Sequence, residues 1–421
     1  MEHKLIKSVI LDQHIIIQNQ PLINRDYFFD LNINYVLTGL RRAGKTMILY
    51  SIVQKLIWNN IDWNQIIYIN FEDERLSDFT VSDFNDIILV KNEFTDKKAY
   101  YFFDEIQNID GWEKFARRLA DAKEFVYITG SNAKMLSKEI SSTLGGRYLP
   151  KYISTLSFSE YLSGLNISHD NDSLFSTSNK GKIIRSFDDY YHFGGFPETL
   201  TLIVKREYVS NIYQKILLSD VAVKNSIRND YGLKLLVKKI AETVTDDVSF
   251  SRLYNSLKTI GISISKDTLI DYIGYLKNAY LLFDIKNYYA KFSERESNPK
   301  YYFNDNGLLN LFLVDSDPVL LENVVAIYLF NRYNDQLYYL KSPETKTDID
   351  FFIPEENMAI QVAYSISGSA RKREISNLIR YAKANNDCRL IILTHNEEEI
   401  IQEEAFTIEV MPAYQFILSG K

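Results

Sequence analysis

Short apolar runs and helical periodicities alternate along the first third of the chain. Asn34-Tyr35-Val36-Leu37 leads straight into a Gly-bounded loop, and from Lys45 to Trp58 the residues Ile48, Leu49, Ile52, Val53, Leu56 and Ile57 recur at helical spacing. Ile66 to Phe71, Ala99 to Phe103 and Phe125 to Thr129 read as further buried strands. Between the last two, Asp110 caps a helix that continues through Trp112, Phe115 and Leu119. Apolar strands alternating with helices predict an α/β fold with a parallel sheet, its ligands bound at the carboxyl ends of the strands. The polar run from Asn166 to Asn179 is a candidate loop or insertion, and after Pro197 the pattern turns helical, broken at Asp220 and Asn229-Asp230. Ser251 to Asp284 reads as helix, turn, helix and strand, with the turn at Gly261 to Ser265 and the second helix from Lys266 to Ala279, a winged-helix-like order. From Glu322 the α/β pattern returns: a helix to Phe330, strands around Tyr338 and Asp350, then Ala359 to Ala363, a helix from Ala370 to Ala384 and a strand from Arg389 to Thr394. The expected divisions are 1–165, 166–215 as linker and helical lid, 216–300 and 301–421.

At 421 residues the chain can bury several cores. No apolar stretch approaches the roughly 18 residues of a membrane span, and Met1 to Leu5 lacks the apolar core of a signal peptide. A single cysteine, Cys388, suits a reducing compartment. A cytoplasmic protein without a membrane partner is the expectation. The net charge of −7 argues against a broadly basic nucleic-acid coat while leaving room for a local patch.

The loop after the first strand carries the chemistry. Gly39-Leu40-Arg41-Arg42-Ala43-Gly44-Lys45-Thr46 fits G-x-x-x-x-G-K-[ST] in full. Its glycines allow close backbone approach, and its N–H groups and the following helix N-terminus face phosphates. Lys45 brings a positive charge to the β and γ phosphates of ATP, and Thr46 a hydroxyl to Mg2+. Asp104-Glu105 closes an apolar strand. Asp104 is the expected magnesium residue, and Glu105 the residue that polarises the attacking water. Ser131 and Asn132, ending the neighbouring strand, are candidates to orient that water, and Arg147, in Leu144-Gly145-Gly146-Arg147, is a candidate arginine finger acting in cis or on a second copy in a homo-oligomer.

The ordered set Gly39 to Thr46, Phe103 to Asn108 with Gly111-Trp112-Glu113, Ile128 to Asn132 and Gly146-Arg147-Tyr148 resembles the bacterial and archaeal AAA-type ATPases with a C-terminal DUF4143 domain, relatives of the STAND NTPases. The resemblance covers nearly the whole chain. It implies that Gly194 to Glu198 is the family's Gly-x-Pro element, with Pro197 near the adenine, and that the C-terminal domain is similar to the restriction-endonuclease-like PD-(D/E)xK fold. On that resemblance Asp350 and Glu322 stand at acidic positions of the nuclease centre, but Gln361 replaces a metal-binding carboxylate and Ala363 removes the lysine. A hard divalent cation prefers several charged oxygens, so a working nuclease is not expected unless Lys346, Arg371 or Lys372 substitutes. The resulting expectation is a magnesium-dependent ATPase whose nucleotide state switches its domain arrangement. The alternatives are a nucleotide-gated DNA-binding or interaction protein and an ATP-dependent nuclease.

Other signals are weaker. The second winged-helix-like helix carries Lys266 and Lys277 beside Asp267 and Asp271, so it is not strongly basic. Arg371-Lys372-Arg373 and Lys234 with Lys238-Lys239 are the candidate phosphate contacts for a DNA partner, though such runs also suit solvated helix faces. His169 and His192 lack metal-ligand spacing.

Overall fold

The computed structural model describes residues 3–132, 135, 138–170, 176–314, 316–385 and 387–420. The chain divides into Met1–Ser154 with Asn278–Tyr280, and Thr155–Lys277 with Leu281–Lys421.

The first unit is built on five strands: β1 (Asn34–Thr38), β2 (Ile66–Asn70), β3 (Tyr100–Asp104), β4 (Phe125–Gly130) and β5 (Tyr148–Tyr152). Their order is β2-β3-β4-β1-β5, and every pairing is parallel. The alternation of side chains along each strand sends consecutive residues to opposite faces. Val36, Ile67, Ile69, Tyr101 and Phe103 join one core with the helices His3–Asn19, Phe84–Phe94 and Trp112–Asp121. Tyr35, Leu37, Ile66, Tyr68, Phe102 and Tyr127 join the other with the helix Lys45–Trp58. Both faces are covered, which is why these strands are nearly continuous in apolar residues. On the second face the rings of Tyr68, Phe102, Tyr127 and Tyr35 stack across four neighbouring strands, with centroid separations of 5.9, 4.8 and 6.1 Å. Part of the chain's unusual aromatic content is spent on this cross-strand ladder.

The helix Trp112–Asp121 begins after Gly111, in the left-handed conformation, rather than at a capping Asp110. The helix His3–Asn19, which buries Ile6, Val9, Ile10 and Ile17, has no counterpart among the elements expected from the pattern.

The second unit opens with the helices Phe158–Gly164 and Thr177–Phe193; the end of the polar run Asn166 to Asn179 is therefore helical, while 171–175 lie outside the described residues. Its sheet has the order β12-β13-β11-β10-β9-β8-β6-β7. These are β6 (Leu282–Asn287), β7 (Lys300–Phe303), β8 (Tyr338–Ser342), β9 (Thr347–Ile353), β10 (Met358–Val362), β11 (Arg389–Thr394), β12 (Glu399–Glu403) and β13 (Phe406–Pro412). The helices Asp230–Ala241, Phe250–Thr259 and Lys266–Asn278 precede the antiparallel pair β6–β7, which is the element order of a winged helix. The strands that would form a free wing are absorbed, because β6 also pairs with β8 in parallel. The expected boundary at residue 300 therefore runs through a sheet. Short-range pattern marks β6 but not β7, and cannot say which larger sheet they join.

Candidate functional site

The sheet order explains how three sequence-distant segments meet. β4 lies between β1 and β3, so the carboxyl ends of all three present the loop Gly39–Thr46, the pair Asp104-Glu105 and the segment Thr129–Asn132 at one edge. Gly39 has φ +149°, and an added methyl group would lie 2.1 Å from the Ile153 carbonyl oxygen, so only glycine lets the loop pass that strand end. Arg42 and Gly44 are also left-handed, which turns the loop back on itself before the helix starts at Lys45. Lys45 Nζ donates to the Gly39 and Leu40 carbonyls, both at 3.1 Å, and so curls into the cradle; Leu40 and Ala43 are buried beneath it. Arg41 reaches Glu72 at 3.2 Å.

Asp104 is the electrostatic centre of the site and only 1% exposed. It accepts from Thr46 Oγ1 at 2.7 Å, from Tyr68 O–H at 3.1 Å and from Thr129 Oγ1. Burial first, and the neighbouring Glu105 second, push its carboxyl up to about 6, against the pull of these three donors. A buried carboxylate joined to a loop hydroxyl is a donor set that fits a hard divalent cation, which would also relieve the cost of the buried charge. Glu105 occupies a left-handed backbone position, φ +52°, which re-aims the chain at the end of β3. Its N–H donates to Thr129 Oγ1 at 2.9 Å, and its carboxylate accepts from Gln107 Nε2. Ser131 and Asn132 are buried at the end of β4, and Ser131 Oγ has no hydrogen-bond partner among the described residues.

The structure thus brings together Gly39, Leu40, Arg41, Arg42, Ala43, Gly44, Lys45, Thr46, Asp104, Glu105, Ser131 and Asn132. It does not bring Arg147 there. Asn34 pairs with Tyr148 at the start of both strands, and Asn34 Nδ2 donates to the Arg147 carbonyl, so Arg147 sits at the amino end of the sheet. The phosphate loop follows the other end of β1, and the Arg147 guanidinium is paired with Asp121 at 2.5 Å. Five residues of strand, about 16 Å, separate it from its own loop, which removes the cis reading of the finger. Pro197 belongs to the second unit, at the start of a short 3-10 helix, Pro197–Leu200. There the preceding glycines serve packing: Gly195 N–H donates to buried Asp305 at 2.8 Å, and a methyl on Gly194 would lie 2.0 Å from Asp305 Oδ1.

Sequence reasoning missed Tyr68 and Thr129, whose hydroxyls hold Asp104, and Arg25, which donates to the Ala43 carbonyl at 3.0 Å and the Ser154 carbonyl at 2.7 Å. Arg25 ties the segment before β1 to the phosphate loop. A polar residue inside an otherwise apolar strand was the available signal for Thr129; a lone loop arginine carries none.

In the second unit Lys300, Glu322 and Asp350 converge. Lys300 is 2% exposed, with Nζ 3.2 Å from Asp350 and 3.5 Å from Glu322. Burial works to lower the ammonium, but Glu322 and Asp350 together hold it above its ordinary value. Burial, with Asp350 beside it, pushes Glu322 up to about 8. The expected substitutes for the missing lysine are engaged elsewhere or exposed: Arg371 pairs with Glu399, Lys372 is exposed, and Lys346 is an exposed turn residue with φ +54°.

A parallel sheet with the phosphate loop after β1 and the acidic pair after β3 is a P-loop NTPase fold. Residues 32–162 match a family described as an AAA domain, and residues 184–318 match a domain of unknown function, DUF8612, where the resemblance had implied DUF4143. An uncharacterized protein of Methanocaldococcus jannaschii is 34% identical over 99% of this chain and 95% of its own length. One from Haemophilus influenzae is 30% identical over 93% of this chain and 96% of its own length. The chain belongs to the family of these relatives, and its amino-terminal part combines the AAA domain match with a P-loop NTPase fold. Among solved structures it resembles a Walker-type ATPase of Pyrococcus abyssi, with TM-score 0.42, 14% identity and coverage of 71% of this chain and 100% of that one.

Proposed function

We propose that the protein is a magnesium-dependent ATPase that uses its nucleotide state to act on its second unit. The observation that carries this reading is the Asp104 cluster. A buried carboxylate shared by the phosphate-loop hydroxyl of Thr46 and the β4 hydroxyl of Thr129 has Glu105 as its immediate neighbour. In this reading Gly39 to Lys45 bind the phosphates, Lys45 by charge and the loop by its N–H groups. Thr46 and Asp104 hold Mg2+, which supplies charge neutralisation on the phosphates. Glu105 leaves Gln107 to orient the attacking water, and Ser131 and Asn132 face the same water from β4. Pro197 is proposed as a contact for the base. Arg147 is kept only as a group acting on the nucleotide of a second copy.

Nucleotide binding and phosphate release from ATP, each measured with and without Mg2+, test the proposal. Lys45→Ala is expected to lose nucleotide binding, whereas Glu105→Gln keeps binding and loses turnover by about 10²-fold or more, the usual scale of a positioned acid–base group. Equal turnover in wild type and Glu105→Gln sinks the role of Glu105.

A further inference from the structure

The family resemblance read from the sequence would place a divalent cation between Glu322, Asp350 and the residue at position 361. We infer that in this chain the Lys300 ammonium takes the place of that cation, so that the cluster is a lysine-bridged structural joint and binds no metal. Lys300 leaves β7 and reaches both carboxylates at once, 3.2 Å from Asp350 Oδ1 and 3.5 Å from Glu322 Oε1. A divalent ion bridging the same two oxygens would lie within about 4 Å of a fixed positive charge, where repulsion in a dry interior is strong. The carboxylates also carry other donors. Glu322 Oε1 also accepts the Tyr302 hydroxyl at 2.7 Å, and Asp350 Oδ2 accepts the Val362 N–H at 3.0 Å.

Gln361 is turned away from any ligand role. Its Oε1 accepts the Asp350 N–H at 2.8 Å, and its Nε2 donates to Glu374, whose other oxygen takes Arg373. A carboxylate at 361 could not donate to Glu374, so the amide is what lets β10 and the helix Gly368–Ala384 meet through this hydrogen bond. Asp348, two residues before Asp350 on β9 and therefore on the same face, has its carboxyl raised by burial against the pull of the same ammonium. Among the described residues no group of three or more His, Cys, Asp or Glu side chains is placed to hold a metal ion. A buried ion pair is retained only when well paired, and this one joins β7, β9 and the helix Asp317–Tyr333. The carboxylates that the resemblance assigns to a metal centre serve here as the partners of a lysine.

The test uses the full-length, nucleotide-free protein titrated with Mn2+, following bound ion by electron paramagnetic resonance and the thermal midpoint in parallel. Wild type and Asp350→Asn are expected to bind the same amount of Mn2+. Lys300→Gln is expected to melt earlier, to gain about one further Mn2+ and to recover part of its midpoint with millimolar Mn2+; adding Asp350→Asn abolishes both gains. Mn2+ bound by wild type and lost in Asp350→Asn overturns the inference, as does a folded Lys300→Gln protein with no Asp350-dependent Mn2+. Should Lys300→Gln fail to fold, the comparison of wild type with Asp350→Asn and Glu322→Gln decides alone.

Discussion

Replacing Asp104 by Asn should stabilise the metal-free protein at neutral pH while destroying the proposed magnesium site. Burial and Glu105 raise this carboxyl from 3.8 to about 6, so the ionised form costs the folded state about 3 kcal/mol. The folded protein binds this proton more tightly than the unfolded chain. The favourable contribution of the protonated form is therefore complete below 3.8 and is lost as pH rises through about 6. Asn escapes that cost but presents an amide N–H to a site where Thr46, Tyr68 and Thr129 all donate, and one lost hydrogen bond costs about 1 kcal/mol. The variant should thus be about 1 kcal/mol less stable than wild type at pH 4 and about 2 kcal/mol more stable at pH 8. All three tryptophans, Trp58, Trp63 and Trp112, lie in the first unit, so intrinsic fluorescence during urea unfolding in EDTA reports on that unit. A stability difference that is constant with pH, or that favours Asn more strongly in acid, refutes the assignment of Asp104 as a strained buried charge.

The same titration predicts that Mg2+-dependent ATP binding weakens about tenfold per pH unit below about 6, because Asp104 must lose its proton first; calorimetry at pH 5, 6 and 7.5 measures this. Gly39→Ala should cost about 2–4 kcal/mol in the tryptophan-monitored transition, since the methyl meets the Ile153 carbonyl and the backbone, not a flexible side chain, must move. Arg147→Ala should cost no more than about 1 kcal/mol, as its partner Asp121 is half-exposed, and should leave turnover unchanged in protein dilute enough to keep copies apart. A tenfold fall under those conditions contradicts its placement at the amino end of the sheet.

What could be read from the amino-acid order alone was whatever depends on neighbours in the chain. The phosphate loop is eight consecutive residues, and the apolar strands β1 to β4 and the helix Lys45–Trp58 each declare themselves by local periodicity. The acidic pair Asp104-Glu105 was legible because it ends such a strand. Tertiary structure decided everything that depends on which strand lies beside which. Placing β4 between β1 and β3 is what delivers Thr129 to Asp104, and pairing β5 with β1 in parallel is what carries Arg147 to the far end. The clearest case is Lys300. In sequence it is one lysine before Tyr301-Tyr302-Phe303, distant from the acidic residues and absent from any motif spacing. Only folding puts its ammonium between Glu322 and Asp350, because the burial of two carboxylates requires a cation and the chain supplies one from another strand.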